Sequence, residues 1–322
     1  MENKKYILFG AGEQGKRALR FFKRDNILVF CDSYMYGNEI EGIQVISPQE
    51  LDKYVDMGEI IITALSVENR NDIARILKEM KLEYNFFDEA ALEVVRAEAR
   101  KYEMLNKRSQ FSIEKRTAYL RTMDRIDEAG KVNIGFWEDQ WTAKHVYEKR
   151  PVLHYDIGSS VARFIWGLLL FGQRVCQIDI RPLSIDIGTE FIKDDATELD
   201  GIEDNSIESL SAISSLEHIG LGRYGDPIDP EGCFKCFRSI QNKVKVGGDI
   251  YITVPVGREH VEFNAHRVFN ALTIVDEFNQ CDLIEYSVAK EDGIEYNVDL
   301  CKYDNEPDIG WSRMGLFHFR KR

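Results

Sequence analysis

Proline is scarce in this 322-residue chain, at 7 residues, and no serine, glutamine or glycine tract occurs. With 44% hydrophobic residues as well, the composition excludes a largely disordered chain. Long hydrophobic runs are missing too. The longest, Phe164 to Phe171, is eight residues, whereas a membrane-spanning helix needs about 20. Positive charge is in deficit. Lys and Arg number 42 against 55 Asp and Glu, a net charge of −13, and the deficit is spread along the chain. Neither half offers the basic stripe that phosphate neutralisation requires, which argues against nucleic acid and anionic membranes as partners. Cysteine is limited to six, of which only Cys233 and Cys236 are closely spaced. Without a second pair or a nearby histidine, packed reduced thiols and no metal site are the expectation. No secretory hydrophobic segment precedes the first strand, so a cytoplasmic protein is expected.

What is present is α/β grammar, twice. Length alone predicts two domains at about 150 residues each. In the first, Tyr6–Phe9, Ile27–Cys31, Ile43–Ile46 and Ile60–Thr63 are short apolar strands. Between them lie helical patterns such as Ile73, Ile76, Leu77 and Met80, spaced i, i+3, i+4, i+7. Residues 1–88 therefore predict a doubly wound parallel sheet. Residues 89–150 are charged, helical and anchored by Trp137, Trp141 and Tyr147, and are expected to form a connector. Residues 151–322 start a second α/β series at Leu153–Ile157, with strands near Val175–Ile178, Ser209–Ile213, Asp249–Val254, Leu283–Val288 and Gly315–Phe319.

Two loops carry chemistry. Gly10-Ala11-Gly12-Glu13-Gln14-Gly15 follows the first strand, and Asp32 ends the second. The first glycine permits the tight turn and the second close approach of a phosphate. The third permits helix–strand packing, and the acid can hold ribose hydroxyls. Gly10, Gly12, Gly15 and Asp32 are thus candidate nucleotide-binding residues. This segment, with Phe30-Cys31-Asp32 and Gly42 to Pro48, resembles the small Rossmann domains at the N-terminus of sialic-acid-type and bacillosamine-type sugar acetyltransferases. The resemblance implies a bound nucleotide or nucleotide-sugar.

In the second domain, Asp156-Ile157-Gly158-Ser159-Ser160 follows a strand, Asp179-Ile180-Arg181 ends the next, Asp194-Asp195-Ala196 comes after, and Val246-Gly247-Gly248 precedes a later strand. In this order and spacing they resemble a class I S-adenosylmethionine (SAM) methyltransferase, although Ser160 and Ala162 stand where that family has glycine. The resemblance implies a methyltransferase-type sheet and SAM as cofactor, held by Asp156, Gly158, Ser159, Asp179, Ile180, Asp195 and Ala196. Residues from about Trp137 to Val288 further resemble the methyltransferase-like family catalogued as domain of unknown function 268. The strings concerned include Trp141-x-Ala143-x-x-x-Tyr147, Ser215 to Gly232, Val254 to Glu259 and Phe263 to Arg267.

Acceptor chemistry is expected on loops after the strands' carboxyl ends. Methyl transfer to a hydroxyl needs a base, for which His218 is the first candidate and His260 and His266 the second. Glu217, Arg223, Tyr224, Asp226, Arg258, Asn264 and Arg267 are candidate substrate contacts, the arginines suiting a phosphate or carboxylate. The pairing of domains suggests, by analogy, a nucleotide-linked or phosphorylated sugar acceptor in surface-glycan synthesis. A homodimer is compatible with this reading. Two alternatives stay open: a catalytically silent methyltransferase fold that binds a nucleotide-sugar, and a nicotinamide-dependent oxidoreductase using Gly10 to Gly15.

Overall fold

A computed structural model describes residues 4–114, 118–126, 129–130, 132–306 and 312–322. The chain divides into two compact units, Met1–Lys131 and Val132–Arg322. The first contains β1 (Tyr6–Phe9), α1 (Glu13–Phe22), β2 (Ile27–Cys31), β3 (Glu39–Ile40), β4 (Ile43–Ile46), β5 (Glu59–Ile62), α2 (Val67–Glu79), β6 (Tyr84–Phe86) and α3 (Phe87–Leu105). The strand order is β3-β4-β2-β1-β5-β6, parallel from β4 to β6.

The strands are hydrophobic on both faces because both faces are covered. Tyr6, Leu8, Ile27, Phe30 and Ile61 share one core with α1 and α3. The alternating residues Ile7, Phe9, Val29, Ile60 and Ile62 share another with α2. Phe87 and Ala91 of α3 are buried in the first of these cores, and Met123 and Ile126 pack against it. The helical connector expected over 89–150 is therefore shared out: α3 completes the first unit, and α4 belongs to the second.

The second unit contains α4 (Ile134–Lys149), β7 (His154–Ile157), α5 (Trp166–Leu170), β8 (Val175–Asp179), β9 (Glu190–Lys193), β10 (Ile207–Ile213), α6 (Gly232–Lys243) and β11 (Val244–Pro255). It continues with β12 (His260–Glu262), β13 (His266–Val268), α7 (Ala271–Glu277), β14 (Cys281–Lys290), β15 (Gly293–Glu295) and β16 (Met314–Lys321). The main sheet runs β15-β14-β16-β11-β10-β7-β8-β9. Strands β9, β8, β7, β10 and β11 are parallel, and β16 lies antiparallel between β11 and β14. This is the doubly wound sheet anticipated above, with one antiparallel strand inserted near its edge. Its direction of winding reverses between β7 and β10, which makes the carboxyl ends of β7, β8 and β10 the ligand edge.

Two features were not expected from the sequence. Strand β9 is a half-exposed edge strand, Glu-Phe-Ile-Lys, whose apolar content is too low to stand out. Residues 260–268, read above as a polar loop, form the β12–β13 hairpin with Glu262 opposite His266. Five of the six cysteines are buried and Cys301 is exposed. Among the described residues no helix is long and apolar enough to cross a membrane.

Candidate functional site

At the ligand edge of the second unit lies a cleft of about 200 Å³. One arm is lined by Ile157, Gly158, Asp179, Ile180, Asp195 and Ala196, among others. A second arm shares Gly158, Asp179, Arg181, Ser214, His218 and Tyr224 and extends to Asp156, Ser159 and Arg163. Five of the seven residues assigned to the cofactor line the first arm, and Asp156 and Ser159 line the second.

The loop after β7 is shaped from within. Gly158 has φ +68°, and its backbone turns close to Ser215, whose Cβ would stand 3.3 Å from an added Cβ. Ser160 has ordinary extended backbone, φ −67°, so serine is tolerated there. Asp156 does not reach out into the cavity with free oxygens. It accepts hydrogen bonds from the Ser159 amide (3.0 Å), the Ser159 hydroxyl (2.6 Å) and the Ser211 hydroxyl (2.5 Å). Burial pushes its pKa up to about 6 against those bonds. The His154 ring completes this network on Ser209 and Ser211, and burial lowers its pKa to about 3.

Asp179 ends β8 half-buried. Burial would raise its carboxyl, but hydrogen bonds from the side chain and amide of Arg181 outweigh it and hold the group below the usual range. Arg181 Nε lies 2.9 Å from Oδ1 and its Nη2 2.6 Å from Oδ2. Asp195 accepts from the Thr197 amide and hydroxyl through Oδ1, and no hydrogen bond between described residues engages its Oδ2.

Of the three candidate bases only His218 lines the cleft. It is 2% exposed, its Nδ1 is 2.6 Å from the Ala265 carbonyl, and burial lowers its pKa to about 4. Nδ1–H donates to that carbonyl; Arg223 Nη1 stands 3.1 Å from Nδ1 and 3.5 Å from Nε2, and Glu217 Oε1 lies 3.6 Å from Nε2.

The hairpin residues are not brought to the cavity. Antiparallel pairing puts His260, Glu262 and His266 on one face, where His260 Nε2 is 3.4 Å and His266 Nε2 3.7 Å from Glu262. The period of two sends Arg267 to the other face. There it is buried and donates to the carbonyls of Glu217, Ile219 and Pro230, so it clamps a loop instead of gripping a substrate. Arg258 and Asn264 are exposed away from the cleft lining. Asp226 lines the cavity but staples its own loop, accepting from the amides of Gly220, Gly222 and Tyr224. Arg223 is turned to the Ala265 carbonyl at 3.0 Å.

Glu217 is fully buried, and neither carboxylate oxygen has a hydrogen-bond partner. Desolvation raises its pKa well above the ordinary value. It lies outside the cleft lining and is not a substrate contact.

Sequence reasoning missed the group beneath the second arm. Glu138 of α4, 1% exposed, accepts from the hydroxyls of Ser214 (2.7 Å) and Thr253 (2.8 Å). Asp139 accepts from Arg163 Nε at 2.9 Å. Arg163 passes α4 at Gly135, where an added Cβ would stand 2.2 Å from Nη1. The only signal was a pair of acids between Trp137 and Trp141, indistinguishable in the sequence from a solvated helix face.

These buried groups set a pH dependence. Burial raises the Asp139 carboxyl to about 7, although Arg163 opposes it. A carboxyl raised in the folded state keeps a proton that the unfolded chain has lost, so its contribution to stability falls as pH rises from about 4 to 7. The depressed imidazoles His154 and His218 act oppositely, but only below about pH 6.5. The second unit should therefore melt about two degrees lower at pH 8 than at pH 6.5. Asp139→Asn, which keeps an acceptor for Arg163, should reduce that difference in thermal melts, with the raised Asp156 and Glu217 carboxyls retaining the rest.

In the first unit, Gly10 has φ +119° and Gly15 is packed so closely that a Cβ would meet the Gly10 carbonyl oxygen at 2.1 Å. A Cβ on Gly12 would meet nothing within 4 Å, and α1 begins there without a side-chain cap. Asp32 accepts hydrogen bonds from the amides of Ala11, Tyr34 and Met35, so it already serves to hold the loop.

Comparison with known proteins matches residues 196–309 to the family described as Caenorhabditis protein of unknown function, DUF268. No curated protein matches the chain. Similar solved structures include the 1,6-didemethyltoxoflavin-N1-methyltransferase of Burkholderia thailandensis with bound S-adenosylhomocysteine. It is 15% identical over 58% of this chain and 78% of that one, with a TM-score of 0.40. The glycopeptide N-methyltransferase MtfA complexed with SAM is 10% identical over 58% and 94%, with a TM-score of 0.42. The N-methyltransferase NodS of Bradyrhizobium japonicum is 10% identical over 57% and 96%, with a TM-score of 0.39.

Proposed function

We propose that the second unit is a SAM-dependent methyltransferase acting on an anionic small molecule, with a nucleotide-linked or phosphorylated sugar as the acceptor. The observation that carries this reading is the cleft itself. At the carboxyl ends of adjacent strands it gathers a tight glycine turn at Gly158, the acids Asp179 and Asp195, and the apolar side chains of Ile180 and Ala196. That set fits an adenosyl group: carboxylates for hydroxyl and amine donors, apolar contacts for a planar base, and a close-approach backbone for the rest. When bound, the cofactor would supply an activated methyl group.

The chain's own part is positioning and proton removal. His218, whose ring lines both arms, is the residue we assign as general base. Arg163 and Arg181 line the second arm and supply positive charge for an anionic acceptor. Calorimetric titration of the full chain with S-adenosylhomocysteine tests the reading. Saturable binding is expected, and none at millimolar ligand would overturn it.

A second reading is supported by the Arg181 fork on Asp179: a silent fold in which that arginine permanently fills the ribose position. Retained binding of the nucleoside ligand separates the two.

For the first unit the proposal is a nucleotide or nucleotide-sugar at Gly10 to Gly15. Gly12→Val gives a clean test, because the added side chain has space in the fold but would stand where a phosphate approaches. The variant should melt like the wild type and lose any thermal shift produced by NAD or UDP-sugars. An unchanged shift would move the nucleotide elsewhere.

A further inference from the structure

We propose that Arg181 is a built-in competitor for the Asp179 carboxylate, and that its stack on Tyr224 latches the cleft until a ligand's vicinal diol displaces it. The proposal rests on the nucleoside-binding reading of this cleft. A guanidinium fork and a vicinal diol each present two donors to the two oxygens of one carboxylate, so they compete for it. Here the fork holds both oxygens, at 2.9 and 2.6 Å. The same guanidinium lies 4.9 Å from the ring centre of Tyr224, within cation–π range. Tyr224 belongs to the facing loop, and all three side chains line the one cavity.

The moving part is the Arg181 side chain. Asp226 holds the amide of Tyr224 at 3.2 Å and those of Gly220 and Gly222 beside it, which fixes that loop's backbone. The Arg181 side chain is 52% exposed and can swing into solvent or towards the second arm without refolding either wall. The Arg181 amide bond to Asp179 Oδ1, 2.8 Å, can persist while the fork leaves, so the carboxylate stays oriented for the incoming hydroxyls. A ligand that must first displace an internal partner binds with its affinity reduced by the fraction of molecules already open.

The experiment is a double-mutant cycle on the full chain, with S-adenosylhomocysteine as the calorimetric probe. Arg181→Ala should tighten binding about two- to fivefold, the range set by a partly exposed ion pair. Arg181→Lys keeps the charge but loses the fork and should behave the same way. In an Asp179→Ala background, Arg181→Ala should change affinity less than twofold, because nothing is left to compete for. Weaker or equal binding by Arg181→Ala overturns the latch. So does an equal gain in both backgrounds, which would be a general charge effect. If neither wild type nor Arg181→Ala binds the probe, the nucleoside reading fails and the latch with it. Binding by wild type without the Asp179-dependent gain defeats the latch alone.

Discussion

Replacing His218 with alanine is expected to lower turnover by about a hundredfold or more while leaving S-adenosylhomocysteine affinity nearly unchanged. General-base catalysis is typically worth about a hundredfold to ten-thousandfold. The imidazole here is neutral at any working pH, because burial lowers its pKa to about 4. That makes it competent but weak, which places the loss towards the lower end of the range. The measurement is release of S-adenosylhomocysteine with phosphorylated and nucleotide-linked sugars as acceptors. The rival role is structural, since Nδ1 holds the Ala265 carbonyl at 2.6 Å. His218→Asn separates them: its amide can donate to Ala265 and preserve the melting temperature, but it cannot take up a proton. If the asparagine variant recovers turnover, His218 is an anchor and no more.

Removal of the Asp179 carboxylate should have the next largest effect. Asp179→Ala is expected to weaken S-adenosylhomocysteine by roughly ten- to a hundredfold, since a hydrogen bond to a charged group contributes about 1.5–3 kcal/mol. Calorimetry reads this directly. Asp32→Ala in the first unit should leave the same titration unchanged. A variant that binds as well as the wild type would mean the diol is held elsewhere, with Asp195 as the next candidate.

Much of the fold was legible because its causes are local. Ile7 to Phe9, Val29 to Cys31 and Ile60 to Ile62 are continuous apolar runs, as buried parallel strands require. Gly10 and Gly158 announce turns that only a positive φ allows, and the acids Asp32 and Asp179 close their strands in register with those turns. The glycine loops therefore located the carboxyl edge of the first strand in each sheet before any packing was known. Strand β9 was lost because half of its surface is solvated and its pattern is weak. The β12–β13 hairpin was lost because its charged residues read as a polar loop.

The candidate site was only half legible, and the division follows contact order. Asp156, Gly158, Asp179 and Asp195 owe their places to short loops at strand ends, so their neighbours in sequence suffice to place them. His218 reaches the cavity on the same principle. Arg267 is different, because its partners Glu217, Ile219 and Pro230 lie in another segment brought to it by the sheet. Glu217 sits beside His218 in sequence, yet His218 lines the cleft and Glu217 is sealed from solvent. Glu138 became part of the site only when α4 packed over Ser214 and Thr253. Sequence by itself determined the two sheets, their turns and the acids that end their strands, since these follow from backbone sterics and hydrophobic period. The tertiary structure alone decided which charged side chains face the cleft, which are spent on carbonyls, and which are buried behind it. A polar group's role depends on where its partner arrives, and those partners come from distant parts of the chain.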